Sequence, residues 1–354
     1  MKKQFPFIIF AFLCSNVFAQ TKKFKCEKVY DAIKLIDNKQ FDEGIKILED
    51  CEKTDPSDYT YPYEIAYAKS EQKDYNGAIK KLLEIKDYPN LEDDYYQLLG
   101  NNYDYAGDSV KAIKTYNEGL KKYPNSGRLH LEKGVVFEIG EKYLEAIKVY
   151  EEGIKREPMY PSNYFRAAKL YLKTNDRLSG LIYGEIFMNL ERTTSRTQEM
   201  SELLYDGYKK SLIFVSKNDG KTEFCTAVIN ADKYSKTNTL PLCSNFAISF
   251  NLAMLKHSEF NYHNFAQMRT DFLKEYEKMK NAPNVLLSYF KTMDDSKVFN
   301  AYNYYLFQIA NEKDFSDWQT KNKDEYDRFV NWYSTPGNEL KVNSKNVYIS
   351  DQIK

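Results

Sequence analysis

Histidine is nearly missing from this chain: His130, His257 and His263 are the only three in 354 residues. That scarcity removes most transition-metal chemistry. His257 and His263 stand six apart, not the four that sets two ligands on one face of a helix. They read as polar surface, and no metal site is expected. His130 takes the register slot of Tyr96 and Tyr164 and reads as a packed or half-exposed core residue. Net charge is missing too. Lys and Arg number 51 and Asp and Glu 51, which is nothing like the basic footprint of a nucleic-acid binder. The Lys-rich stretch Lys22–Lys25 is short and mixed with Phe, so it reads as solvated surface. Catalytic signatures are missing as well: the chain holds no G-x-S-x-G, no glycine-rich phosphate loop and no H-E-x-x-H. A cysteine nucleophile needs a free thiol beside a base. Cys243 and His257 share one half of the chain, but a disulfide explains Cys243 more simply. The acidic run Glu92-Asp93-Asp94 is what a helix dipole favours at its start. No catalytic residue, cofactor or enzymatic activity is expected.

Long apolar runs are confined to the N-terminus. Lys2 and Lys3 precede an apolar stretch from Phe5 to Cys14, broken only by Pro6, and Val17-Phe18-Ala19 offers small residues for cleavage. This is the anatomy of an export signal over residues 1–19, with a mature start at Gln20. The run is shorter than the roughly 20 residues a membrane span needs, so no transmembrane span is expected after cleavage. A lipoprotein signal is the rival, through Cys14, but such signals want a small residue where Leu13 stands. Removing the two lysines leaves 49 basic residues against 51 acidic ones, a mature charge of −2. The expected location is the periplasm or the cell surface of a bacterium.

What remains is a folding composition, with 42% hydrophobic and 29% charged residues. Tyrosine is abundant, at 31 residues. Its apolar body and polar tip suit a thin, surface-rich array, although a general compositional bias gives the same excess. Cysteine is sparing but even: Cys26, Cys51, Cys225 and Cys243 follow the signal, and four cysteines allow three pairings. Cys26 falls early in one helix and Cys51 late in the next, so the two meet in an antiparallel hairpin. Cys225 then pairs with Cys243 by elimination and nearness. Buried free thiols are the alternative.

The strongest signal is a beat of 34 residues. Gly44, Ala78, Ala112, Ala146 and Gly180 recur at that interval, and Ala32, Ala66, Gly100, Gly134 and Ala168 form a second small column. Small residues let two helices approach closely. Phe41, Tyr75 and Tyr143 lie three residues before the first column, and Leu48, Leu82, Tyr116 and Tyr150 lie four after it. Pro56, Pro124 and Pro158 stop second helices at one point, with Pro89 displaced by one. One copy shows the pattern best: Tyr96, Leu99, Gly100, Tyr103, Ala112, Tyr116 and Pro124. This spacing resembles the tetratricopeptide repeat. Five copies are read, at residues 25–58, 59–92, 93–126, 127–160 and 161–194. Repeat one has Asp31 where Leu is usual, and repeat five lacks the terminal Pro, as end repeats often do. The expected fold is therefore all-α: a right-handed helical-hairpin solenoid over residues 20–194, followed by further antiparallel helices.

Residues 195–336 lose the beat but stay helical. Stripes run through Met200, Leu204, Tyr208 and Leu212; through Leu242, Phe246, Phe250 and Met254; and from Phe265 to Met279. Further stripes are Tyr302, Tyr305, Leu306 and Ile309, then Phe315 with Trp318, then Tyr326, Phe329, Val330 and Tyr333. Breakers stand at Lys217–Gly220, Asn281–Asn284 and Thr335–Asn338. The region is either a separate domain or a set of degenerate repeats continuing the solenoid, and continuation is the preferred reading. Residues 337–354 lack periodicity and read as an extended tail.

In tetratricopeptide proteins the first helices of successive repeats line a concave face. The resemblance implies that Tyr63, Tyr67, Gln97, Asn101, Tyr105, Leu131, Val135, Phe165 and Lys169 face it here. Tyr and Asn are adaptable contact residues, so a protein or peptide partner is the expected ligand. Alternatively Leu131, Val135 and Phe165 pack against a neighbouring helix, with the chain's own C-terminal region folded into the groove. The family's clamp for C-terminal carboxylates needs several Lys, Asn and Arg residues. Only Asn101 and Lys169 suit it, so that function is not carried over. A scaffold or assembly subunit of the envelope is the preferred reading. The alternative is an enzyme or ligand-binding domain in residues 195–336, with the repeats as a docking module.

Overall fold

The computed structural model describes residues 24–216, 219–227 and 239–353; the export signal and Cys14 lie outside them. Two compact units divide after Leu91. The first holds two helical hairpins: α1 (Val29–Asp37) with α2 (Phe41–Thr54), and α3 (Thr60–Glu71) with α4 (Tyr75–Glu84). Its core gathers Val29, Ala32, Ile36, Leu48, Tyr61 and Ile65. Cys26 bonds to Cys51, with Cα atoms 5.3 Å apart. Cys26 stands just before α1 rather than inside it. The backbone N–H of Cys26 donates to the Tyr61 hydroxyl at 3.4 Å, so the disulfide end is also tied to α3.

The second unit opens with three more hairpins. They are α5 (Asp93–Tyr105) with α6 (Ser109–Lys122), α7 (Gly127–Ile139) with α8 (Tyr143–Arg156), and α9 (Pro161–Tyr171) with α10 (Arg177–Glu191). The 34-residue beat is visible in the backbone. The turns inside the hairpins place Lys39, Lys73, Gly107 and Glu141 in the left-handed region, at φ 63°, 64°, 87° and 57°. The next helix starts are capped in step. Asp74, Asp108 and Asp176 each accept a hydrogen bond from the N–H three residues on, the usual N-cap device. Helices α2, α6 and α8 end two residues before Pro56, Pro124 and Pro158.

Packing explains the second small column. A methyl group on Gly100 would lie 2.2 Å from the Tyr116 ring, and one on Gly134 would lie 2.2 Å from the Tyr150 ring. Both are impossible contacts. Where the facing residue is Leu48 or Leu82, the column holds Ala32 or Ala66 instead. Ring size on the second helix thus selects glycine on the first.

Beyond α10, Thr194 and Thr197 form a capping box that starts α11 (Ser195–Ser211). A β-hairpin then intervenes, β1 (Leu212–Ser216) against β2 (Asp219–Thr222). This corrects the expectation of a helix reaching Leu212 and a plain breaker at Lys217–Gly220, of which residues 217 and 218 lie outside the described set. The run Leu212-Ile213-Phe214-Val215 is dense in branched and aromatic residues, which suits a strand. Cys225 bonds to Cys243, with Cα atoms 6.1 Å apart. Then come α12 (Leu242–Met254), α13 (Tyr262–Glu277), α14 (Val285–Asp295), α15 (Phe299–Leu306), α16 (Glu312–Lys321) and α17 (Lys323–Ser334). Helix α14 was not anticipated, and Ile309 sits in a short 3-10 turn, not in a helix with Tyr302.

One apolar core runs from Ala146 through the later helices to Ile353. At its centre Glu185 of α10 pairs with Arg269 of α13 through two hydrogen bonds of 2.6 and 2.8 Å. The side chains are 0% and 2% exposed. Tyr208 donates to Glu185, and the Arg269 Nε donates to Asn303. The aromatic rings of Tyr208, Phe290 and Phe307 surround the guanidinium. The tail from Gly337 onward buries Leu340, Val342, Tyr348, Ile349 and Ile353 in the same core. Tyr348 shares a hydrogen bond with Ser179, and the Ser350 N–H donates to the Tyr183 hydroxyl.

Candidate functional site

The residues expected to line a groove fall in both units and are taken unit by unit. In the first, α3 carries Tyr63 and Tyr67 one turn apart. Tyr63 is half-buried, and Tyr67 is 38% exposed. Partial burial, with the carboxylates of Glu71, Asp37 and Glu64 nearby, raises the Tyr67 phenol pKa. Both rings reach solvent from one helix face.

In the second unit, α5 and α7 lie side by side. Gln97, Asn101, Leu131 and Val135 are each half-exposed, and Tyr105 is exposed. The Gln97 amide donates to Glu132 at 2.6 Å, and the Asn101 oxygen accepts from the Tyr116 hydroxyl at 2.5 Å. Glu132 was not foreseen. Burial raises its carboxyl pKa, opposed by hydrogen bonds from Gln97 and Asn101 and by the charges of Arg166 and Arg128. Its position three residues before Val135 was the available signal, because helix neighbours three apart share a face. The site is thus polar and held in place: Gln97 and Asn101 are oriented by groups on adjacent helices.

Charge alternates further along. Arg166 lies 3.5 Å from Glu138, which also accepts from the Tyr150 hydroxyl. Lys169 pairs with Glu199 at 2.6 Å and lies over the Phe165 ring. Arg196 donates to Ser162, pairs with Glu191, and covers the rings of Phe165 and Phe187. Phe165 is therefore corrected. It is 5% exposed, packed against Phe187 at 4.9 Å between centroids, and is not presented to a ligand. Asn101 and Lys169 are both engaged internally, so they form no carboxylate clamp between them.

Apolar side chains stay open beside α5 and α7. Tyr105 and Val110 flank one hairpin turn at 59% and 80% exposure; Ile139 and Leu144 flank the next at 71% and 72%. These are register mates, 34 residues apart. The mate of Val110 and Leu144 in the following hairpin is Leu178, which is fully buried, its N–H donating to the Phe224 carbonyl. The segment carrying Cys225 thus closes on the last hairpin a position left open on the two before it.

The tail's hydrogen bonds go elsewhere. Ser350 and Tyr348 bond to Tyr171, Tyr183 and Ser179 at α9 and α10. In the C-terminal half, polar groups do cluster at Glu185, but they are spent on one another inside the core. His257 lies 3.3 Å from Asp271, and the exposed His263 lies 3.3 Å from the Tyr304 hydroxyl. His130 is buried, with Nδ1 2.9 Å from the Ser126 carbonyl. Among the described residues, no three His, Cys, Asp or Glu side chains come together as a metal site. No described helix is long and apolar enough to cross a membrane.

The hairpin geometry is of the tetratricopeptide type, in the 34-residue register described above. No family model matches the chain, and no curated protein matches it. Solved structures are similar over about half its length. TTC0263, a thermophilic tetratricopeptide protein of Thermus thermophilus, is 17% identical with a TM-score of 0.41, covering 50% of this chain and 96% of its own. A crystal structure of MamA is 18% identical with a TM-score of 0.39, covering 46% and 94%. YrrB, described as a tetratricopeptide protein with an unusual peptide-binding site, is 12% identical with a TM-score of 0.36, covering 48% and 87%. Likeness at this level says nothing about what the present chain binds.

Proposed function

We propose that this chain is a non-enzymatic interaction scaffold or assembly subunit of the bacterial envelope that takes a protein or peptide partner on the face of α5 and α7. The observation that carries the reading is the run of open apolar side chains at Tyr105, Val110, Ile139 and Leu144, beside the preset polar row of Gln97, Asn101 and Glu132. Exposed apolar side chains bordered by polar groups mark interaction surfaces more than inert ones. Tyr63 and Tyr67 offer a second contact patch in the first unit. Two disulfides fit an oxidising compartment, and the signal-like N-terminus fits export. The test is site-specific photo-cross-linking in the native envelope. A photoreactive residue at Tyr105 or Val135 is expected to capture one discrete partner; the same residue at the exposed Lys274 on α13 is expected to capture none. Equal capture at all three positions, or none at any, sinks the proposal.

A further inference from the structure

A separate cleft opens between the start of α14 and the C-terminal tail, with a volume of about 330 Å³. None of its lining side chains is acidic. Lys341 and Lys345 line it from the tail, Asn284, Ser288 and Thr292 line it from α14, and Gln352 closes one edge. Both lysines are exposed. The turn between them is fixed by its own asparagines. Asn346 donates to the Lys341 carbonyl at 3.0 Å, and the Lys345 N–H donates to Asn343 at 2.9 Å. The backbone that carries both lysines is thus held in one turn.

Asn284 supplies the independent observation. It is the N-cap of α14, 6% exposed, and its Oδ1 accepts from the N–H groups of Leu286 and Leu287 at 3.0 and 3.2 Å. Those two bonds fix which end of the amide meets the helix. Its Nδ2 is buried with no hydrogen-bond partner, and the residue lines the cleft. An unpaired buried donor costs about 1–3 kcal/mol, and rotating the amide to satisfy it would uncap the helix. An acceptor arriving from the cleft removes that cost without disturbing the cap.

We infer that this cleft binds a phosphate-class oxyanion, free or as the end group of a small organic molecule. The donors present outnumber what the two oxygens of a carboxylate can accept: two ammonium groups, the Asn284 amide, the Ser288 hydroxyl and the second N–H of the Gln352 amide, whose first donates to the Val347 carbonyl at 3.1 Å. A tetrahedral anion with three or four oxygens matches them, and the positive end of α14 adds a favourable field. The volume exceeds a single anion, and Val285 and Leu340 give an apolar wall against which a carbon skeleton packs.

The test is calorimetric titration of the full mature chain at constant ionic strength, with inorganic phosphate, glycerol 3-phosphate and acetate in turn. Saturable binding of a phosphate, with acetate weaker by about tenfold or more, is the expected result. Tighter binding of glycerol 3-phosphate than of inorganic phosphate identifies an organic ligand; the reverse identifies the free anion. Both sustain the oxyanion assignment. Lys341→Ala with Lys345→Ala removes exposed side chains and is expected to lower affinity by about tenfold or more. Asn284→Asp keeps the capping oxygen and replaces the orphan donor with a charged acceptor. It is expected to abolish binding while the unliganded melting temperature stays near that of the parent. No saturable binding up to about 10 mM of either phosphate, or equal binding by parent and lysine variant, overturns the inference.

Discussion

Removing one member of the Glu185–Arg269 pair is expected to destabilise the second unit far more than its two hydrogen bonds suggest. Both side chains are sealed from water. Glu185→Leu leaves a guanidinium among the rings of Tyr208, Phe290 and Phe307 with no counter-charge, and also strands the Tyr208 hydroxyl. Stranding a buried charge costs about 3–5 kcal/mol. At about 2–4 °C per kcal/mol for a unit of this size, that is a fall of roughly 6–20 °C in melting temperature. Arg269→Leu is expected to cost a similar amount, since the buried Glu185 carboxyl loses both hydrogen bonds from the guanidinium and Asn303 loses its donor. The double variant removes both charges. It leaves the neutral orphans at Tyr208, Tyr302 and Asn303, at about 1–3 kcal/mol each and shared with the single variants. The two single losses should therefore exceed the double loss by several kcal/mol. The assay is urea unfolding followed by tryptophan fluorescence. Both tryptophans, Trp318 and Trp332, lie in the second unit, so the signal reports on that unit. Additivity within about 0.5 kcal/mol would mean that the two sites do not interact and would refute the reasoning.

Three further outcomes are expected. Reducing the disulfides, which span 25 and 18 residues of sequence, should cost about 3 kcal/mol each through loop entropy regained by the unfolded chain; circular dichroism in urea with and without reductant measures it. Burial holds the His130 pKa below its ordinary 6.5. The unfolded chain therefore takes up the proton first, and the stability gained from neutral His130 is present above 6.5 and lost as pH falls through the depressed value. His130→Gln should flatten that part of the stability profile below pH 6.5. Ending the chain at Pro336 removes the buried side chains of Leu340, Val342, Tyr348, Ile349 and Ile353. At about 1.5–3 kcal/mol each the loss reaches roughly 8–15 kcal/mol, comparable to the whole stability of a domain. The truncated chain should fail to give a near-ultraviolet dichroism spectrum, whereas ending at Ile353 should change nothing.

Repetition made the hairpins legible, because a packing rule that recurs can be checked against itself. Gly100 with Tyr116 and Gly134 with Tyr150 obey the same rule as Ala32 with Leu48 and Ala66 with Leu82. The aspartates at 74, 108 and 176 carried the same beat and went unread, although they mark the helix starts more directly than the small columns do. Past Glu191 each element occurs once, so nothing cross-checks a stripe of apolar residues. The strand at Leu212 accordingly passed for the end of a helix, and α14 was missed. Phe165 shows the corresponding limit for the site. Its register position matches Gln97 and Leu131, yet Arg196 and Phe187 cover it, because in the last hairpin the following element is no longer a repeat. A register names the face a residue points from; only the neighbour on that face decides whether a ligand can reach it. Glu185 and Arg269 stand 84 residues apart in segments that share no period, and a charge inside an apolar stripe is the sole trace either leaves in the sequence. Such pairs are where a periodic reading loses its grip. They are also where the later helices are locked onto the last repeat, so the part of the chain that departs from the pattern is the part that ends the array.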